Sequence, residues 1–255
     1  MKKVILKILQ WAVLFAYLIM ALSFTNTKRD KILSGTVDIN IFGKHNFLNK
    51  ELVEKLFKEN NIVLDSVNIK SLDFNEIEKF LEEIPYVKNA EIYNNLDGNI
   101  TIDLAQKNPI MRVITDRVNL YIDEDCNLMP ISENYTAQLI VVTGNLDQEF
   151  FKTQNKSKLN HYGLSLLNLF DFVNFINSHE LWGSQVEQIN ISPKGDIELV
   201  PRVGNHIIIL GNLENYEYKL KKMETLYLKG FNIVDWNKYS SINLKYSDQV
   251  ICKKR

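Results

Sequence analysis

Hydrophobic and polar residues follow distinct periods along this chain, and each period predicts a kind of element. Residues 4–24 form an apolar run, interrupted only by Lys7 and Gln10, of about the 20 residues that a helix needs to cross a bilayer. Residues 36–42 then alternate polar and apolar side chains at period two, which predicts a half-buried strand that Gly43 ends.

Two amphipathic helices and a hairpin are predicted next. Asn49 caps a helix over residues 49–60, and Asp73 caps a second helix that Pro85 ends. Residues 86–93 and 99–105 are then two strands, joined by a turn in which Gly98 supplies the positive φ. The predicted order over this region is β, α, α, β, β.

Beyond residue 108, short apolar segments predict a second domain that is mainly antiparallel β with packed helices. The polar residues 147–160 indicate an exposed loop that can include a helical turn. The last helix is expected to end at Gly230 in a left-handed cap. The predicted strands lie at 110–115, 119–123, 128–131, 139–142, 186–191, 196–200, 206–210 and 241–246, and the helices at 164–178 and 212–230.

The fold class that these elements predict is α+β, with an N-terminal transmembrane helix, a small β-α-α-β-β domain and a β domain. The expected boundaries are residues 1–30, 31–107 and 108–255. Basic residues at the N-terminus favour a location of that terminus in the cytoplasm, which places the bulk of the chain outside the cytoplasm. A cleaved signal peptide, with residues 21–23 as its cleavage site, is the alternative. Both interpretations imply export.

Composition and charge restrict the function. The chain is 45% hydrophobic and 24% charged with a net charge of −1, which is typical of a globular protein and argues against nucleic-acid binding. The two cysteines are too few for a disulfide scaffold. Whether Cys126 and Cys252 pair with each other stays open.

The common catalytic and metal-binding patterns do not occur along the chain. The four histidines and two cysteines lack metal-ligand spacing, and no nucleophile elbow or phosphate-binding loop occurs. We therefore expect no catalytic residue, no cofactor and no metal, and a role in binding. The last predicted strand suits that role, since a terminal strand often leaves a sheet edge to which a partner segment can add. The alternative is that this strand packs on the last helix and its edge stays in water.

Several motifs resemble a known family. The run IPYVKNAEI at residues 84–92, which leads into ITIDL at 100–104, resembles a POTRA domain. Residues 108–110, 121–123, 128–130 and 241–246, followed by Gln249 and Val250, resemble the β domain of the FtsQ/DivIB cell-division family. Two positions depart from the family pattern. Gln106 replaces a glutamate, and Cys126-Asn127 replaces a turn glycine, so Asn127 is expected to be left-handed.

The resemblance implies a non-enzymatic, single-pass scaffold of the bacterial division septum. Its expected location is the cytoplasmic (inner) membrane, with the C-terminal domain outside the cytoplasm. Its implied partners are FtsB-like and FtsL-like single-span proteins, with no nucleic acid and no small-molecule substrate. In this family the final strand pairs with a strand of the FtsB-like partner. The residues implied to bind are Asn243, Leu244, Lys245, Tyr246, Ser247 and Val250.

Within that set, Lys245 is expected to favour an acidic partner, and Tyr246 to pack its ring while its hydroxyl stays in water. A second docking surface is expected in the POTRA domain, on the strand at 37–42 or the helix at 49–60. Two alternatives remain: a POTRA-containing component of envelope protein secretion, and an exported cell-wall enzyme.

Overall fold

The computed structural model describes residues 10–20, 33–230 and 237–255. Residues 10–20 are helical with exposed side chains, while residues 4–9 and 21–24 of the predicted span lie outside the described residues. Over the described ranges, none of the helices has both the length and the apolar character needed to cross a membrane. The chain divides into two compact units, Met1–Gln106 and Lys107–Arg255.

The first unit contains a three-stranded sheet. The strand order is β1-β3-β2, in which β1 runs parallel and β2 antiparallel to the central β3. A short 3-10 helix, Ile69–Ser71, precedes the second α-helix. The elements are β1 Val37–Phe42, α1 Lys50–Glu59, α2 Phe74–Glu82, β2 Val87–Asn94 and β3 Ile100–Gln106.

The predicted helix starts of this unit are confirmed. The Asn49 side chain accepts a hydrogen bond from the N–H of Leu52 (2.8 Å), and Asp73 accepts one from the N–H of Glu76 (3.2 Å). Both helices contribute to one core with the sheet, because their apolar stripes and the alternate residues of β3 are buried together. That core includes Val53, Phe57, Ile77, Leu81, Ile102 and Leu104.

The second unit contains a nine-stranded sheet in the order β12-β11-β10-β9-β8-β7-β4-β5-β6. The pairs β4–β7, β7–β8 and β10–β11 are parallel, and the other neighbours in that order are antiparallel. The strands are β4 Pro109–Ile114, β5 Asn119–Asp123, β6 Leu128–Pro130, β7 Ile140–Gly144, β8 Val186–Ile191, β9 Ile197–Pro201, β10 Ile207–Gly211, β11 Tyr239–Asn243 and β12 Ile251–Lys254.

Helices complete the core of the second unit. The helices are α3 Gln148–Lys152, α4 Leu166–Ser178, α5 Glu180–Gln185 and α6 Tyr216–Thr225, which continues as a π-helical turn Leu226–Gly230. The stripe of α4 that includes Leu169, Phe172 and Ile176 is fully buried in the same core as the inward residues of the sheet. The predicted α+β class is confirmed for both units.

Three local predictions were wrong. Residues 147–160 include the expected helical turn, α3, but they are not all exposed, because Phe150 and Phe151 of α3 are buried in the core. Gly230 is the last residue of the π-helical turn and has no left-handed φ. Cys126, not Asn127, is left-handed (φ +59°), since the Asp123 carboxylate accepts hydrogen bonds from the N–H groups on both sides of it.

The end of the chain also differs from its prediction. The strand expected at 241–246 is β11, Tyr239–Asn243, and it is not at the edge, because β12 pairs with it in antiparallel register. The two cysteines are free thiols, with Cys126 buried and Cys252 half-buried in β12. Their pairing, left open by the sequence, is therefore absent from this structure.

Candidate functional site

The sheet edge formed by β12 is the candidate site. β11 lies parallel to β10 with Ile208 opposite Ile242, and the N–H of Leu244 extends this pairing to the backbone oxygen of Ile209 (2.8 Å). On its other side, β11 pairs with β12. Among the described strands, β12 is the outermost on this side of the sheet.

The backbone of β12 presents hydrogen-bonding groups at that edge. The N–H of Arg255 donates to the backbone oxygen of Lys238 (3.2 Å), so it points toward β11. Because successive residues of a strand turn their N–H and C=O to opposite sides, those of Lys253 also point toward β11. The N–H and C=O of Cys252 and the N–H of Lys254 therefore point away from the sheet, where another strand could pair with them. The backbone oxygen of Lys254 lies 3.5 Å from Oγ of Ser240 in β11.

Two of the predicted binding residues are structural. Leu244 has 0% of its surface exposed, and Val250 packs partly buried against the same core. Asn243 is the last residue of β11, and its side chain accepts a hydrogen bond from the N–H of Lys245 (2.9 Å). These residues set the path of the chain between β11 and β12.

Lys245 uses its charge within the chain. Its Nζ lies 2.8 Å from Oδ1 and 3.0 Å from Oδ2 of Asp196. Its aliphatic carbons lie against Gly211, where an added Cβ would be 2.8 Å from Cγ of Lys245. Gly211 also has φ of +79°, so this position favours glycine for two separate reasons. The ammonium of Lys245 is thus already compensated.

The segment between the last two strands is fixed to α6. The Nζ of Lys222 donates to the backbone oxygens of Tyr246 (2.6 Å) and Ser247 (3.0 Å). The hydroxyl of Tyr218 also reaches the oxygen of Ser247, at 3.4 Å. The Tyr246 side chain itself is 49% exposed, which leaves its ring available for a contact.

A polar groove of about 230 Å³ lies between α6 and residues 244–247. It is lined by Lys219, Lys222 and Lys245, together with Glu214, Tyr218 and Tyr246. Burial lowers the pKa of Lys219, and its Nζ donates to the backbone oxygen and to Oδ1 of Asn212, both at 2.9 Å. The groove therefore carries three ammonium groups and the carboxylate of Glu214, and Asp196 already compensates one of those ammonium groups, that of Lys245.

The sequence prediction missed β12 itself. Lys253, Lys254 and Arg255 suggest a solvated terminus by composition, yet the two lysines belong to the strand. Lysines are common on edge strands, where they discourage unwanted pairing between sheets. The available signal was the apolar pair Val250-Ile251 followed by Cys252, after the turn-forming Ser247 and Asp248.

Comparison with known proteins identifies the fold units. A family profile described as FtsQ/DivIB, C-terminal related matches residues 108–253, which is more than half of the chain. The chain belongs to the FtsQ/DivIB family. A POTRA-like domain profile matches residues 35–105. The FtsQ/DivIB-type sheet is therefore the nine-stranded one, and the three-stranded unit is POTRA-like.

A curated relative in the same family is the cell division protein DivIB of Clostridium tetani (strain Massachusetts / E88). The two sequences are 25% identical over 214 residues, which cover 78% of this chain and 77% of the relative. The predicted membership of a cell-division family is confirmed. Within the described residues, no group of three or more His, Cys, Asp and Glu side chains could hold a metal ion.

Proposed function

We propose that this FtsQ/DivIB-family protein is a non-enzymatic scaffold of the division machinery that captures FtsB-like and FtsL-like single-span proteins. An extended segment of the FtsB-like partner is added beside β12, as a further strand of the nine-stranded sheet. The observation that carries this proposal is the outward direction of the N–H and C=O of Cys252 and of the N–H of Lys254.

Charge selects the partner segment. Lys253 and Lys254 lie on the edge strand and Arg255 follows it, so an acidic segment suits this edge better than a basic one. Lys245 contributes less than its sequence position suggests, because Asp196 already compensates it. The same lysines oppose pairing of β12 with a second copy of itself, since like charges would then face one another.

The six predicted residues act in two groups. Tyr246 offers a half-exposed ring beside the start of β12, and Asn243, Lys245 and Ser247 shape the turn that precedes it. Leu244 and Val250 hold this turn to the core. The partner therefore meets a preorganised edge and loses less conformational entropy on binding than a mobile terminus would require.

Membrane attachment belongs to the same proposal. The apolar run at residues 4–24 anchors the chain once in the cytoplasmic membrane, with its N-terminus in the cytoplasm and both folded units outside, at the septum. Confinement to the membrane plane raises the effective concentration of single-span partners. A modest strand-to-strand contact is then sufficient for capture.

Proline substitution along β12 tests the edge. In the full-length protein, Lys254→Pro removes an outward N–H, so capture of the FtsB-like partner should fall by about tenfold or more while the thermal midpoint changes little. Lys253→Pro removes an N–H directed at β11 and should lower the midpoint. Lys254→Ala keeps the outward N–H and is the matched control. Capture by Lys254→Pro equal to that by Lys254→Ala would overturn the proposal.

A further inference from the structure

The chain enters the POTRA-like unit at one identifiable end. The N–H of Ser34 donates to the oxygen of Val67 (2.7 Å), and the N–H of Gly35 donates to the oxygen of Gly98 (3.0 Å). Leu33 forms an isolated bridge with Asn68. Residues 33–35, the segment before α2 and the turn between β2 and β3 therefore lie together.

This entry end exposes apolar side chains. Leu96, at the tip of the β2–β3 turn, is 87% exposed, and Leu33 and Val63 are each 60% exposed. A shallow groove of about 600 Å³ lies beside Leu96 and is lined by Ile69, Leu72 and Phe74 together with Lys70, Asn94 and Asn95. Single exposed leucines are ordinary, but a groove rimmed by several apolar side chains indicates a contact surface.

The turn holds Leu96 outward. Oδ1 of Asn95 accepts hydrogen bonds from the N–H groups of Asp97 (3.0 Å) and Asn99 (2.9 Å). The N–H of Gly98 donates to the oxygen of Asn95 (3.2 Å), and Gly98 has φ of +92°. These bonds fix the backbone on both sides of Leu96, so its exposure is a property of the ordered turn.

The sequence that precedes this end favours one occupant. Residues 21–32 connect the helical residues 10–20 to Leu33, and a chain of that length spans at most about 40 Å when extended. That connecting sequence includes Lys28, Arg29 and Lys31 against one acidic residue, Asp30, and Lys70 lines the groove itself. A basic side chain such as Lys70 beside leucine and phenylalanine is typical of surfaces that rest in the lipid headgroup region.

We propose that the entry end of the POTRA-like unit contacts the lipid surface, with Leu96 and Leu33 inserted at the level of the headgroups. This inference rests on the membrane attachment proposed above. It adds that the unit is oriented on the bilayer by its own side chains. Asp65 and Asp97 lie near the apolar residues in the sequence and limit the depth of insertion to the interface.

Tryptophan fluorescence can test this contact, because residues 33–106 contain no tryptophan. Leu96→Trp is introduced into the full-length chain, with Trp11→Phe to remove the tryptophan in the apolar run. The matched control is Phe42→Trp, which replaces an exposed apolar residue at the far end of β1. Trp182 and Trp236 give the same background in both proteins.

Each protein is reconstituted into vesicles of phosphatidylethanolamine and phosphatidylglycerol, with brominated or unbrominated acyl chains. We expect brominated lipid to reduce the Leu96→Trp emission by about twofold and to leave the Phe42→Trp emission near that of the background. Leu33→Trp should be quenched to the same degree as Leu96→Trp. If the circular dichroism spectrum shows that Leu96→Trp alters the fold, Leu33→Trp is used in its place.

The outcomes separate the two proposals. A chain that does not float with the vesicles contradicts membrane attachment itself. A chain that floats but shows equal quenching at Leu96→Trp and Phe42→Trp leaves the attachment intact and overturns the lipid contact. Cross-linking of the entry end to a second copy or to a single-span partner, without lipid quenching, overturns it as well.

Discussion

The Nζ of Lys222 donates to the backbone oxygen of Tyr246 at 2.6 Å, which ties helix α6 to the segment that leads into the edge strand β12. The same ammonium donates to the oxygen of Ser247 at 3.0 Å. It also lies 5.1 Å from the centre of the Tyr218 ring. One side chain thereby fixes the segment from which β12 starts.

Replacing Lys222 should loosen the edge without unfolding the unit. Lys222→Met retains most of the aliphatic chain and removes the donors, so the free energy of unfolding should fall by about 1 kcal/mol. Partner capture should weaken as well, because β12 must then be ordered on binding. Urea unfolding and pull-down from membranes measure the two effects. Lys221→Met, on the exposed side of α6, is the control.

Either of two results would contradict that prediction. Equal unfolding free energies for Lys222→Met and Lys221→Met would show that the carbonyl contacts add no stability. Unchanged capture by a measurably destabilised Lys222→Met protein would show that ordering of residues 246–247 does not limit partner binding.

Substitutions at Leu244 should lower the stability of the unit, whereas substitution of Tyr246 should mainly weaken partner binding. Leu244 is fully buried, so Leu244→Ala should cost about 2 to 5 kcal/mol of unfolding free energy. Leu244→Pro should be worse, because it also removes the N–H that donates to Ile209. Tyr246→Ala should change stability by about 0.5 kcal/mol or less and weaken partner capture. Calorimetry and pull-down distinguish the variants.

Two results would show whether Tyr246 itself contacts the partner. If Tyr246→Ala retained full capture while Leu244→Ala lost capture in proportion to its unfolded fraction, then Tyr246 would not contact the partner. A folded Leu244→Ala protein with normal capture would leave the edge proposal intact, since Leu244 only supports that edge.

Cys252 offers a direct footprint of the proposed edge. Burial raises the pKa of both thiols, but Cys252 is half-buried and Cys126 is buried, so Cys252 should be alkylated faster by N-ethylmaleimide. A strand added beside β12 should slow alkylation of Cys252 by about fivefold or more and leave Cys126 unchanged. Mass spectrometry of timed samples measures both rates. Partner binding without protection of Cys252 would place the contact elsewhere.

The sequence predicts most of the first unit because its signals are local. Asn49 and Asp73 cap helices, Pro85 follows the second helix, and Gly98 has the positive φ that its turn needs. Each of these effects depends on residues a few positions apart, so no knowledge of the tertiary fold is needed to recognise it.

The C-terminal edge was harder to predict because its determinants are distant in sequence. β11 is an inner strand since residues 251–254 pair with it, and Lys245 is compensated by Asp196, which lies in another part of the sheet. β12 has four residues, two of them lysines, which is too short and too charged for the period-two pattern. Which backbone groups of β12 point outward can be deduced only after the pairing of β12 with β11 is known.

His206 and Tyr227 form a buried polar pair close to the same edge. His206 is 1% exposed, and its Nε2 lies 2.9 Å from the Tyr227 hydroxyl. Burial lowers the pKa of His206, and the positive charge of Arg255 lowers it further. Burial raises the pKa of Tyr227, so its hydroxyl stays protonated and carries no charge that would stabilise an imidazolium. The folded protein therefore binds a proton at His206 less readily than the unfolded chain does.

This difference predicts that acid destabilises the second unit in a defined range. As the pH falls below about 6.5, His206 protonates first in the unfolded chain, so the unfolding free energy decreases until the folded-state pKa is also passed. Above that range His206 is neutral in both states and contributes no slope. His206→Gln can still hydrogen-bond Tyr227 but cannot titrate, so subtracting its urea-unfolding free energies removes the contribution of the carboxylates. A difference that stays constant between about pH 7.5 and pH 5 would show that His206 titrates alike in both states.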